Sequence, residues 1–196
     1  MSVKKCILII GHSLEAQGAE NKRFKITEFQ FNRSIANDIA RIINSSVDHI
    51  VEVELMHKGY REFNLTFIKR VNQKKPDFII SMHCNAYDEK TSGCETLHFE
   101  GSTTGQQIAQ TLQTQIHTAL GNKNRGVKPK TINQRGGYLL KKTLAPCVIA
   151  EPFFIDNNLD LSRAVSKAYD IVEAYVIAII KIAENLRGDR YHEPKH

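Results

Sequence analysis

Three short apolar runs in this chain each end on a residue able to hold or serve a metal ion. Cys6-Ile7-Leu8-Ile9-Ile10-Gly11 leads into His12, Phe78-Ile79-Ile80-Ser81-Met82 into His83, and Pro146-Cys147-Val148-Ile149-Ala150 into Glu151. Runs of this length read as buried strands, and in open α/β sheets ligands bind beyond the carboxyl ends of the strands. Placed side by side in parallel, these three would bring two imidazoles and a carboxylate to one sheet edge. That is the outline of a catalytic zinc site, in which three protein ligands leave a position open. Two further glutamates compete for the third ligand place. Glu15 gives the spacing His12-Ser-Leu-Glu15, whereas Glu28 opens an amphipathic segment, where its backbone is fixed and its charge complements a helix N-terminus. The fixed position at a helix start favours Glu28 and leaves Glu15 open.

The elements that must position these residues follow from periodicity. Strands are expected over 4–10, 50–56, 77–82, 93–100, 138–140 and 146–150. Val51, Val53 and Leu55 alternate with Glu52 and Glu54, the pattern of an edge or half-buried strand. Helices are expected over 28–44, with Thr27 as N-cap and Phe31, Ile35, Ile39 and Ile42 inward; over 63–74; and over 104–120, capped by Gly101-Ser102-Thr103. A last helix, 158–186, turns Leu161, Val165, Ala168, Val172, Tyr175, Ile179, Ala183 and Leu186 inward. Residues 13–25 and the basic stretch 121–137 read as loops. The fold class is α/β, a single twisted, mostly parallel mixed sheet of about six strands with helices on both faces. One domain covers residues 1–186, and a polar tail covers 187–196.

Composition narrows the function classes. With no apolar run of about 18–20 residues, the chain offers no transmembrane segment. The start, Met-Ser-Val-Lys-Lys-Cys, has no secretory apolar region, so no Sec-type export signal is expected. Cys6, Cys84, Cys94 and Cys147 lie in or beside apolar segments without a C-x-x-C pair and read as buried free thiols. A net charge of +6 suits anionic surroundings, either nucleic acid or an anionic cell envelope. No nucleic-acid motif accompanies it, so nucleic acid is not expected as a partner.

Taken in order, His12, Glu28-Phe-Gln-Phe-Asn32, Ser81-Met-His83-Cys-Asn85, Gly93-Cys-Glu95, Arg125-Gly-Val127 and Glu151-Pro-Phe-Phe-Ile-Asp-Asn157 resemble the zinc-dependent N-acetylmuramoyl-L-alanine amidases of the amidase-3 type, which include phage endolysin catalytic domains. The resemblance covers nearly the whole chain. It implies Zn2+ held by His12, Glu28 and His83, with Glu151 as the catalytic carboxylate. The implied substrate is peptidoglycan, cut at the amide between N-acetylmuramic acid and L-alanine of the stem peptide. The motif-matched Asn85 is expected to orient the ligands by hydrogen bonds and to serve substrate binding, and Arg125, in the basic stretch, is expected as a contact to substrate. Ser13 stands where many members have glycine, and Met56-His57 where they often have Thr-Arg; both positions concern loops near the site. An enzyme of this kind without an export signal would be made in the cytoplasm and reach the wall by a holin-type or other non-Sec route, which favours a phage or prophage endolysin over a delivered effector or a host enzyme.

Other readings remain. A metallocarboxypeptidase-like peptidase would use His12, Glu15 and His83 with Glu151. A cysteine hydrolase would need Cys84, which follows His83 and so points to the opposite face of an extended segment. A non-catalytic envelope-binding module would have no need of Glu151. The basic stretch 121–135 is either a solvated loop or a contact for stem-peptide carboxylates.

Overall fold

A computed structural model describes residues 2–59 and 61–188. In chain order the elements are β1 (Lys4–Ile10), β2 (Glu20–Asn21), β3 (Ile26–Thr27), α1 (Glu28–Asn44), β4 (Val51–Met56), α2 (Asn64–Gln73), β5 (Phe78–Met82), β6 (Cys94–Phe99), α3 (Thr103–Leu120), β7 (Asn124–Lys130), α4 (Gly137–Lys142), β8 (Cys147–Glu151), α5 (Asn158–Ser166) and α6 (Ala168–Arg187). Six strands form one sheet in the order β4-β1-β5-β8-β6-β7, and β2 and β3 form a small antiparallel pair. All neighbours in the large sheet run parallel except β6 against β8. The expected α/β class and six-stranded mixed sheet are what the chain forms.

Alternating side chains sort the core into two layers. Leu8, Ile10, Phe78, Ile80, Met82, Val148 and Ala150 face α1, α3 and α6, and α6 packs between the other two helices. Ile7, Ile9, Ile79, Cys147 and Ile149 face the opposite way, under α2 and α4 through Phe67, Val71 and Leu140. Central strands buried on both faces are what continuous apolar runs encode. All four cysteines are buried and free, as expected. Among the described residues no helix is long and apolar enough to cross a membrane.

Three expectations are corrected. Residues 124–130 are not loop but the edge strand β7, which pairs only with β6. An outer edge needs no apolar alternation, and lysines with a proline are what such an edge carries. Tyr138-Leu139-Leu140 is not a strand but the body of α4, entered through Gly136 in the left-handed conformation (φ 82°). A short apolar run fits either element by pattern alone. The expected 158–186 helix breaks at Lys167, whose Nζ donates to the Ala119 carbonyl at the end of α3, 2.7 Å away. Val165, expected to face inward, is half exposed in the last turn of α5, which buries Leu161 and Ala164 instead. Arg187 still belongs to α6 and donates to the Ser2 and His49 carbonyls, while residues from 189 onward lie outside the described residues.

At the other edge, β4 is tied to α1 by Asn44, whose side chain donates to the Val53 carbonyl and accepts from the Val53 N–H, both at 2.9 Å. These bonds occupy edge groups that would otherwise pair with another chain. Asn44→Ala should lower stability by about 1–3 kcal/mol, read as a lower urea midpoint with an unchanged denaturant slope.

Candidate metal centre

The register of the parallel strands places three positions in one row. Ile10, Met82 and Ala150 are neighbours across β1, β5 and β8. The next residue of each strand is Gly11, His83 and Glu151. Gly11 N–H donates to the Met82 carbonyl and His83 N–H to the Ala150 carbonyl, so the ladder continues one residue past the strands. His83 and Glu151 therefore project from the same face of the sheet. Gly11 can be nothing larger, because a Cβ there would lie 2.5 Å from the Met82 oxygen and 2.7 Å from His83 Cε1. His12 then leaves the strand through a left-handed turn, φ 70°, uncommon for a side chain with a Cβ.

Glu28 reaches this row from the other side of the sheet. As the first residue of α1 it is fixed by a capping box between Thr27 and Gln30. Two of the helix's unpaired N–H groups, on Glu28 and Phe29, donate to the Ala19 and Gln17 carbonyls. Asn32, one turn on, donates to the Met82 carbonyl at 3.3 Å and holds the helix against the end of β5. The Glu28 side chain is 1% exposed. Its Oε1 lies 2.9 Å from His83 Nδ1 and accepts from Cys84 N–H, and its Oε2 accepts from Ala19 N–H. Burial would push this carboxyl up, but the imidazoles of His12 and His83 outweigh it and hold the group well below the usual carboxylate range.

One ring nitrogen each of His12 and His83 and a Glu28 carboxylate oxygen all lie within 4.8 Å of one another. His12 Nε2 is buried and makes no hydrogen bond, although Glu28 Oε2 stands 3.1 Å away. Donors that share a tetrahedral zinc at about 2.0–2.1 Å sit roughly 3.3 Å apart, so the trio fits such an ion. The fourth side is open, since both imidazoles are about a quarter exposed. Gly18 completes the cradle in the left-handed conformation (φ 79°). A Cβ on it would lie 2.6–2.7 Å from the His12 ring and from Glu28 Oε2. Glu15 is exposed and lies outside this trio; it lines a cavity of about 530 Å³ that opens beside His12 and His83.

Glu151 ends β8 beside His83, largely buried, and its Oε2 has no hydrogen-bond partner. Burial pushes its carboxyl well up, the charges of Glu28 and Glu95 add to that, and Arg135 and Lys130 oppose it. Directly opposite, on antiparallel β6, stands Glu95. Glu95 is clamped by Arg125 Nε at 2.7 Å, Lys128 Nζ at 2.6 Å and Asn85 Nδ2 at 3.0 Å. Asn85 thus spends its amide on Glu95. The bonds that orient Glu28 come instead from the backbone of Ala19 and Cys84. Arg125 lies over the Phe154 ring as well as against Glu95. Burial pushes the Cys84 thiol well up, and its sulfur faces Asn32 rather than the imidazoles, so it is no nucleophile. Sequence reasoning missed Gly18 and the pairing of Glu95 with Arg125 and Lys128. No local pattern announces a backbone approach or an ion pair between distant segments.

A family model described as N-acetylmuramoyl-L-alanine amidase, Amidase_3, matches residues 6–181. Over 138 residues the chain is 26% identical to the N-acetylmuramoyl-L-alanine amidase LytC of Bacillus subtilis, covering 67% of this chain and 27% of LytC. It is 27% identical over 101 residues to an uncharacterised cell wall amidase of Bacillus anthracis, covering 47% of this chain and 18% of that protein. The chain therefore spans less than a third of the length of these curated relatives. An N-acetylmuramoyl-L-alanine amidase structure from Clostridium difficile 630 shares the fold, with a TM-score of 0.81 at 19% identity over 93% of this chain and 97% of that one. With the family model covering nearly all of a chain whose strand ends gather two histidines and a glutamate, the protein belongs to the N-acetylmuramoyl-L-alanine amidase family.

Proposed function

We propose that residues 1–186 form a catalytic domain that hydrolyses the amide between N-acetylmuramic acid and L-alanine of peptidoglycan, with zinc held by His12, Glu28 and His83 and with Glu151 as acid–base. One observation carries this reading: the His12–Glu28–His83 trio lies beside a buried Glu151 whose Oε2 has no protein partner. Zinc bound there supplies Lewis-acid polarisation of the scissile carbonyl and of the attacking water. Glu28, ionised and fixed by two backbone N–H groups, balances the ion's charge, and Cys84 and Ala19 set its orientation. Glu151 stands next to the trio rather than in it, as an acid–base must. It takes the proton of the attacking water and delivers it to the departing L-alanine nitrogen. Arg125 and Asn85 serve substrate binding, both held by Glu95, which stands opposite Glu151 on the neighbouring strand.

The metallocarboxypeptidase-like alternative loses its distinguishing ligand, since Glu15 lies outside the trio. An endolysin role is the biological setting we favour. Expression inside a bacterial host with and without a pore-forming partner tests it, and lysis that requires the pore supports it.

Digestion of purified peptidoglycan should release new L-alanine amino termini and no reducing sugars, and chelator should stop it. Reducing-sugar release, or activity that survives chelation, would refute the proposal. Glu151→Gln should keep its zinc while hydrolysis falls by about 10²–10⁴-fold; near-normal turnover would remove Glu151 from the mechanism.

Gly18→Ala should weaken zinc binding well beyond Gly101→Ala. Both glycines have φ near 80°, but a Cβ on Gly101 meets nothing within 4 Å, so that variant isolates the backbone cost. Metal content after dialysis against a graded chelator measures the difference, and equal losses would show that Gly18 does not shape the site.

A further inference from the structure

Charge is segregated along this chain. Residues 121–142 contain seven lysines and arginines and no acidic residue, while the whole chain is net +6, so the remainder is net −1. The fold brings this stretch to one side of the candidate centre. Lys128 and Lys130 sit opposite Leu97 and Phe99 on β6, whose side chains share the sheet face of Glu151 and Glu95. Lys141, on α4, lies 4.7 Å above the Phe99 ring. Glu95 neutralises Arg125 and Lys128. Among the described residues no ion pair occupies Lys130, Arg135 or Lys141; Lys130 ends β7 opposite Phe99, Arg135 lies in the turn from β7 into α4, and the charges of both act on the Glu151 carboxyl.

On the other side of α4 the surface differs. Tyr138 and Leu139 turn from α4 into the cavity of about 530 Å³ that also takes in Phe67, Ile149, His12 and His83. Its charged lining is balanced, Lys58 and Arg61 against Glu15 and Glu62. The two sides of α4 therefore differ: a charge-balanced cavity takes in the imidazoles on one, and on the other the cationic face of β6 and β7 extends from the strand that pairs with Glu151.

Resting on the amidase reading above, we infer that substrate crosses the centre in one direction, with the stem peptide running from Glu151 over the cationic face of β6 and β7, where Lys130 and Arg135 meet its carboxylates, and the muramyl sugar seated in the cavity between α2 and α4. Two independent requirements agree on this polarity. The leaving nitrogen belongs to the peptide and must be protonated by Glu151, which places the peptide on the Glu151 side. A peptide ends in a carboxylate, whereas the sugar arm is uncharged once the amide has consumed its lactyl carboxyl; cations on one side and an aromatic-lined, charge-balanced pocket on the other match these two chemistries.

The test uses the zinc-loaded full chain and two soluble substrates, an N-acetylmuramoyl pentapeptide with a free C-terminal carboxylate and the same compound with a C-terminal amide. The wild type should prefer the free acid by about threefold to tenfold, expressed in KM rather than kcat, and the preference should shrink as salt rises. In Lys130→Ala/Arg135→Ala the preference should fall to within about twofold. Tyr138→Ala should raise KM for both substrates and keep the preference. Equal KM values for acid and amide in the wild type would overturn the polarity, as would a preference that survives the double substitution or vanishes with Tyr138→Ala. Cleavage of neither substrate by the zinc-loaded wild type would instead overturn the amidase reading, and this inference with it.

Discussion

A carboxylate withdrawn almost completely from water must be matched by donors or cations, since an unpaired buried charge costs several kcal/mol. Glu28 is that group, and much of the local architecture exists to match it. Two backbone N–H groups, from Ala19 and Cys84, and two imidazoles meet its oxygens. Satisfying them requires the start of α1, the 13–19 segment and the ends of β1 and β5 to meet within a few ångströms. The capping box at Thr27, the Gln17 and Ala19 carbonyls that accept the first helical N–H groups, and the Asn32 tether to Met82 enforce that meeting. Glycine at positions 11 and 18 is what lets backbone come so close to the two rings. The cluster is thus prepared by protein groups alone, which is the condition for a site that need not rearrange when an ion enters.

The sheet adds an asymmetry that the cluster by itself lacks. Parallel register carries the row from Gly11 to His83 to Glu151, and the antiparallel strand β6 then sets Glu95 opposite Glu151. Two carboxylates side by side would repel, and the fold answers from β7 by pairing Glu95 with Arg125 and Lys128. Glu151 receives no such partner and stays buried with an unpaired oxygen. Neighbouring glutamates in one row thereby acquire different surroundings, Glu95 paired with two cations and Glu151 buried without a partner for one oxygen. Edge strand β7 serves twice: its lysines discourage pairing with another chain, and they place positive potential beside Glu151.

Most of the layout was legible in the sequence because it rests on local periodicity. Apolar runs ending on His12, His83 and Glu151 read as buried strands, and Thr27 announced the helix that delivers Glu28. The convergence of two histidines with a helix carboxylate was legible for the same reason: residues at strand ends and helix starts have few places to go in an α/β sheet. The readings that failed lie where pattern carries little information. Arg125 and Lys128 look like solvated loop until β6 brings Glu95 to them, and Tyr138-Leu139-Leu140 fits strand and helix equally until Gly136 turns the chain. Val165 keeps the helical spacing of a core residue, yet it lies half exposed in α5, a separate helix that ends at Ser166.

By itself the sequence determined the class of fold, the edge at which chemistry would gather and the residue types present there, because burial period and capping act over a few neighbouring residues. Only the tertiary structure set Glu28 between His12 and His83 with Glu15 outside that cluster, placed the Ala19 and Cys84 N–H groups on the Glu28 carboxylate, and set Glu95 against Glu151. Those outcomes depend on how closely separate segments approach and in what register. Such distances are settled by packing between elements, to which no local run of residues is sensitive.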